Sequence, residues 1–493
     1  MSPLDLGVIL AYFGLTLGIG LWITRSQRTA RDYFLGARDL PAWGVLLSIV
    51  ATETSALTVI SVPGLGARGD LTFLQLAFGY LVGRFLVAAW LLPGYFAGEQ
   101  ETAYARLESR FGPGTRRLIS GCFLVTRFLG DGVRIFAGAI PLALVTGWSV
   151  PGSIVAMGGV TLVYTYVGGL KAVVWADVVQ LVVYVSGGVA ALVIAAQIAG
   201  GLGPALDLAA AADKLRIVNL SVSFSATYTI LGGLVGGALL SAASHGTDHL
   251  IVQRLLATRS LRDARIALVG SGVVVILQFL LFLMVGVMIW AAGHAPNDMS
   301  GDEVFPRFIL SSLPSGLAGL VIAGILAAAM STISSSTNAL ASSVTHDFYA
   351  SLTGKRDPEH LLVVGRRFSA LWGLGLIGAA LGFYRYASGS DTPVVVLALS
   401  IASVTYGGLL GTYLLAGRWR RATGRDAVAG TLVTLAVMLV VIFARRLADS
   451  PGLGWLAPVG TLAWPWYVPL GTALTLVTGI VSSSLSRATV AKA

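Results

Sequence analysis

The segment 327–349, AAAMSTISSSTNALASSVTHDFY, follows an apolar run (317–326) and carries a dense set of hydroxyl side chains into a stretch that belongs inside a lipid bilayer. Ser331, Thr332, Ser334 and Ser335 stand at i, i+1, i+3 and i+4. On a helix three of them share one stripe and Thr332 flanks it. Neutral oxygens clustered at membrane depth, without a matching run of charges, suit a hard monovalent cation that must bind and then leave. The competing account is local: buried Ser and Thr also hydrogen-bond to the carbonyl four residues back, or join neighbouring helices. A second set of candidates is ionisable. Glu53, Arg84, Asp131 and Arg134 fall within apolar runs, where an unpaired charge costs at least ~2.5–3.5 kcal/mol. They must neutralise one another or bind a solute, and an Arg134 facing a cavity would grip a carboxylate.

Composition fixes the elements that position these residues. A chain of 493 residues that is 56% hydrophobic and 11% charged, with mean hydropathy +0.82, has too little polar surface for a soluble globule. It reads as an all-α integral membrane protein. Apolar runs long enough to span a bilayer recur about thirteen times. They lie near 4–25, 40–66, 72–98, 114–147, 152–166, 177–200, 226–256, 262–293, 313–349, 361–386, 392–414, 426–446 and 464–486. The net charge of +10 follows membrane side and not a nucleic-acid groove. With the amino terminus outside, cytoplasmic segments carry roughly three times as many Lys and Arg as external ones, as the positive-inside rule requires. The carboxyl terminus is then cytoplasmic, in keeping with Arg487 and Lys492, and the expected location is the cell (inner) membrane. The first run lacks a basic leader and a cleavage site, so it is expected to be a retained helix. A single cysteine, Cys122, allows no internal disulfide, and no Cys or His spacing suggests a metal centre.

Two runs carry interruptions. In 40–66, Glu53 stands among Thr52, Thr54 and Ser55, with Pro63 and Gly64 beyond. In 226–256, Gly232, Gly233, Gly236 and Gly237 precede SAASHGTDH (241–249). These are the first helices of two successive five-helix sets, 40–200 and 226–414, which enter the membrane from opposite sides. A leading helix (4–25) and two trailing helices (426–486) complete the single transmembrane domain. Paired breaks in inverted repeats predict a carrier whose site lies at mid-membrane, where unwound backbone offers carbonyls to an ion. The repeat is read from topology alone, since the two halves share no residue-level similarity.

On these features the chain resembles the sodium/solute symporter family across almost its whole length. The resemblance is carried by DYFLGARDLP (32–41), ATETSALTVISVPG (51–64), YTYVGGLKAVVWADVVQ (164–180), IVQRLLATRS (251–260) and the 327–349 segment. It implies the thirteen-helix version of the leucine-transporter fold, alternating access, and sodium as the coupling ion with no other cofactor. It further implies a sodium site on the carbonyls of Ala51, Thr54 and Ala328 and the hydroxyls of Ser331 and Thr332. Some members have a second site, which falls here on Asp177, Ser331, Ser334 and Ser335; the alternative role for Asp177 is an interfacial helix cap beside Trp175. Cavity-lining positions match Ser55, Thr58, Phe73, Ser244 and His245, beside Glu53 and Arg134. Sugar-transporting members place Asn before the counterpart of Thr54 and a bulky aromatic in the seventh span. This chain has Glu53 and Ser244 there, which weakens a sugar reading, while Arg84 and Arg134 at membrane depth and the small hydroxyl side chains of Ser55, Thr58 and Ser244 lead us to expect a small polar, carboxylate-bearing solute.

Other classes fit less well. An intramembrane enzyme needs a nucleophile and base, or metal ligands at a spacing such as HExxH, and five scattered His with one Cys supply neither. A symporter-like sensor would need a signalling module. The expected partners are therefore the solute, sodium and the bilayer, with no nucleic acid, and the expected state is a monomer.

Overall fold

The computed structural model describes residues 2–23, 27–98, 100–387 and 394–490. Residues 24–25 and 392–393 of the expected spans, and Lys492, lie outside them. The fourteen helices used below are α1 (Pro3–Ile23), α2 (Ala42–Glu53), α3 (Ala56–Arg68), α4 (Leu74–Phe96), α5 (Pro113–Thr146), α6 (Val150–Ile198), α7 (Gly237–Gly246), α8 (His249–Leu256), α9 (Leu261–Ala291), α10 (Leu317–Ser343), α11 (Pro358–Ala387), α12 (Val394–Arg418), α13 (Gly424–Ala448) and α14 (Tyr467–Val490). Among the described residues the one β-type contact is an isolated bridge between Leu40 and Thr258. Eight of the described helices are long and apolar enough to cross a membrane, or nine when the bent pair α2–α3 counts as one.

The first break is where the sequence places it. α2 and α3 meet at 69°, with Thr54 and Ser55 extended between them. Ser55 and Thr58 form a reciprocal cap on the start of α3, satisfying amides that a fresh helix start leaves without partners. Pro63 and Gly64 do not interrupt: both lie inside α3. There α9 presses against the proline turn so closely that a Cβ on Gly286 would come within 1.8 Å of the Pro63 carbonyl oxygen.

The second break falls within SAASHGTDH (241–249), and not at the glycines that precede it. A π-helical turn, Gly232–Gly236, runs directly into α7. These glycines serve close approach: a Cβ on Gly79 of α4 would sit 2.0 Å from the Gly233 carbonyl, and one on Gly233 would meet the Gln75 backbone at 2.8 Å. The helix is interrupted at Thr247–Asp248, after which Asp248 caps α8 by accepting from the Leu250 amide at 2.9 Å.

The expected spans 152–166 and 177–200 are one helical run, α6, kinked at Gly169 (φ 54°, ψ −157°). Positive φ favours glycine, and a Cβ there would strike the Tyr33 carbonyl at 2.5 Å. A kink frees carbonyls of the preceding turn. The Tyr33 hydroxyl lies 3.1 and 3.0 Å from the Thr165 and Tyr166 carbonyl oxygens, so the DYFLG and GGLK stretches support each other physically.

α10 is the axle of the molecule, packed against α6, α5, α1 and α11. It is buried continuously from Val321 through Ser343, so its hydroxyls face protein on every side and need partners. It begins at Leu317 and not at 313, so Ser331 lies fourteen residues, about 21 Å, along it.

Candidate ion and substrate site

At the first break the Ser55 amide turns to the Thr58 hydroxyl (3.4 Å). The Ala51 carbonyl is thereby left without the donor that a continuous helix would supply. Thr54 is fixed by its side chain: its hydroxyl donates to the Val50 carbonyl (2.8 Å) and accepts from Gln278 Nε2 (2.7 Å). The Tyr184 hydroxyl lies 3.2 Å from the same oxygen and 3.0 Å from Gln278 Oε1. Helices α2, α6 and α9 are tied at this point. Across from it on α10, the Thr332 hydroxyl donates to the Ala328 carbonyl (3.2 Å), the local bond that the competing account foresees. Ser331 instead donates to Asp177 Oδ1 at 2.6 Å. Ala51, Thr54, Ala328, Ser331 and Thr332 are all buried.

The second candidate set converges on Asp177, which is inside α6 and fully buried, not a cap. Ser331 approaches one carboxylate oxygen; Ser48 (2.5 Å) and Thr52 (3.4 Å), both on α2, approach the other. Ser335 lies 3.3 Å from the Thr52 hydroxyl, and Ser334 donates to the Ser331 carbonyl at 3.1 Å. One member was missed from sequence. Arg254 of α8 is fully buried, pairs with Asp177 Oδ2 at 3.1 Å and bonds Ser335 and Ser48. Arg254 stands two residues from the end of the run 226–256, where an arginine reads as a cytoplasmic-end residue, so the sequence carries no signal of its pairing.

The substrate candidates divide into two groups. Glu53 pairs with Arg84, which also donates to Ser271 (2.7 Å), and lies 3.5 Å from His245 Nε2. His245 Nδ1 is 2.8 Å from the Ser244 hydroxyl. Glu53, Arg84, Ser244 and His245 thus form one polar cluster joining the two broken spans. On α5, Arg134 pairs with Asp131 (3.1 Å), which also receives Ser336 and faces Arg127 at 3.6 Å. Arg127 in turn pairs with Asp248 at the second break (2.6 Å), with the Tyr406 hydroxyl 3.0 Å from that carboxylate. The intramembrane charges are therefore balanced pairwise. Arg134 keeps 27% of its side chain exposed while Arg84 keeps none, so of these two only Arg134 has side-chain surface to offer. Ser55 and Thr58 sit 3.4 Å apart at the start of α3. Phe73 is stacked edge-on against Tyr228 and Phe279, with centroids at 5.4 and 5.0 Å.

Among the described residues the chain is thus all-helical, with several helices long and apolar enough to cross a membrane and a broken helix set against a buried, hydroxyl-rich one. The chain belongs to the sodium:solute symporter family, whose sequence profile matches residues 33–434. It is 30% identical over 460 residues to the human sodium/iodide cotransporter, covering 90% of this chain and 70% of that one. It is 25% identical over 493 residues to a sodium/sialic acid symporter of Aliivibrio fischeri, covering 97% and 92%. A solved sodium-coupled sialic acid symporter, substrate-bound and outward-open, superposes with a TM-score of 0.86 over 98% of both chains at 24% identity. These relatives are transporters, not enzymes.

Proposed function

We propose that the protein is a sodium-coupled secondary active symporter that imports a small polar, carboxylate-bearing solute by alternating access. The observation that carries this reading is the freed backbone at Thr54–Ser55 set against the buried hydroxyls of α10. Sodium is assigned to the Ala51, Thr54 and Ala328 carbonyls with the Ser331 and Thr332 hydroxyls. A second ion is assigned to Asp177, Ser331, Ser334 and Ser335. The neutral, oxygen-only character of the first set and the single carboxylate of the second suit a weakly held monovalent cation.

Thirteen crossings follow if each broken pair, α2–α3 and α7–α8, spans once and α6 spans twice; its 49 residues extend about 74 Å, more than two hydrocarbon cores of ~30 Å. The two five-helix sets, 40–200 and 226–414, then have opposite topology, with the amino terminus outside the cell membrane and the protein acting as a monomer. For the solute, Arg134 is the assigned carboxylate grip, with Glu53, Ser55, Thr58, Phe73, Ser244 and His245 lining the cavity. Anionic substrates of relatives, iodide and sialic acid, agree with this choice. The pairing of Arg84 with Glu53 and of Arg134 with Asp131 supports a second reading, a neutral solute such as a sugar. A thermal-shift screen in saturating sodium separates the two, because a ligand of the native state stabilises it by mass action. Stabilisation by carboxylates that Arg134→Gln abolishes supports the first; stabilisation by sugars alone, unaffected by that substitution, supports the second.

A further inference from the structure

The buried guanidinium of Arg254 lies where the second ion would have to bind. It touches two of that site's four residues, Asp177 and Ser335, and reaches them from α8 while its Nε donates to Ser48 of α2 (2.9 Å) and its Nη1 to the Leu250 carbonyl (2.8 Å). Asp177 and Arg254 are both 0% exposed. Two cations cannot share such a place without strong repulsion, because little solvent screens them. A carboxylate stripped of both cations there is equally unfavourable, because a buried charge without a partner carries its full desolvation cost.

We infer that Arg254 is a tethered counter-ion that exchanges with sodium at Asp177, so that the carboxylate is neutralised by the guanidinium when the carrier is empty and by sodium when it is loaded. The inference rests on the second-ion reading above. It gives that site a mechanical output. Arg254 binds α8 to α2, α6 and α10 through one group, and α2 and α8, one half of each broken span, pack against each other. Sodium arriving at Asp177 displaces the guanidinium and loosens both halves from α6 and α10. Departure of sodium lets Arg254 return, and the empty carrier can reorient without an exposed charge in its core.

The test uses sodium alone as the ligand, measured as equilibrium binding of radioactive sodium to the purified full-length protein in lipid nanodiscs. Arg254→Gln should tighten half-saturation of one of two ions by about tenfold or more, since the internal competitor is gone, whereas Arg254→Lys should stay near the native value. General damage to packing lowers affinity and does not raise it, so the direction of the change is diagnostic. Unchanged or weaker binding in a folded Arg254→Gln protein overturns the inference. Asp177→Asn separates the two layers: it should lose one ion, and if the native protein and this variant both bind a single ion with equal affinity, the second-ion reading itself falls. Should Arg254→Gln not fold, hydrogen exchange of the native protein decides. Replacing choline by sodium should speed amide exchange in 249–256, and slower or unchanged exchange there overturns the inference.

Discussion

Replacing Glu53 with Gln should destabilise the protein more than replacing its partner Arg84 with Gln, and the asymmetry follows from burial. The Arg84 side chain is fully buried while that of Glu53 is 18% exposed. Removing one partner of a buried pair costs about 3–5 kcal/mol because the other charge is left uncompensated. In Glu53→Gln the amide oxygen still accepts one hydrogen bond, worth about 0.5–1.5 kcal/mol, and Arg84 keeps Ser271, so the net loss should be about 2–4 kcal/mol. In Arg84→Gln the orphaned carboxylate retains its 18% exposed edge, through which solvent can offset part of its charge. That loss should be smaller by about 1–2 kcal/mol. The double variant leaves no charge in excess and should be more stable than Glu53→Gln alone. Thermal unfolding of the four proteins in one detergent, followed by tryptophan fluorescence, gives the ranking. An Arg84→Gln protein less stable than Glu53→Gln, or a double variant worse than both, would refute the reasoning.

Three further outcomes are expected. Tyr184→Phe removes the hydroxyl that braces Thr54 and Gln278, a loss of about 0.5–1.5 kcal/mol that should weaken half-maximal sodium roughly two- to tenfold without altering solute selectivity; a sodium titration of uptake reads it. Asp177→Asn should convert a sigmoidal sodium dependence into a hyperbolic one, and a Hill coefficient near one already in the native protein would contradict this. Arg134→Gln should abolish stabilisation by carboxylates while leaving sodium binding unchanged, as measured by thermal shift and sodium titration on the same samples.

Local chemistry was legible in the sequence; long-range partnership was legible only in part, as in the pairing of Glu53 with Arg84. Thr52, Thr54 and Ser55 around Glu53 mark a real break because short polar residues cap a helix start, and the break stands at Thr54–Ser55. Ser331, Ser334 and Ser335 share one helix as their spacing implies, and all three are buried. Gly232 to Gly237 misled because glycine answers two needs, turning and close approach, and only the facing helix α4 distinguishes them. Arg254 looks like a cytoplasmic-end residue in one dimension, yet it is paired with Asp177 across 77 positions. The Tyr184–Gln278 brace on Thr54 joins three helices that no periodicity connects. The candidate ion residues could be named from the 327–349 pattern and the resemblance it carries, whereas the groups that hold or compete with them emerge only when the helices are packed.

Sodium coupling itself is tested most directly in liposomes containing the purified protein, with the solute that stabilises it best in the thermal-shift screen. Under an inward sodium gradient that solute should accumulate above its external concentration, and the accumulation should collapse when the gradient is dissipated. Ser331→Ala or Thr332→Ala should weaken uptake while leaving membrane insertion near normal, since Ser and Thr to Ala remove an oxygen and little volume. Equal uptake in sodium and in choline by the native protein would contradict the account.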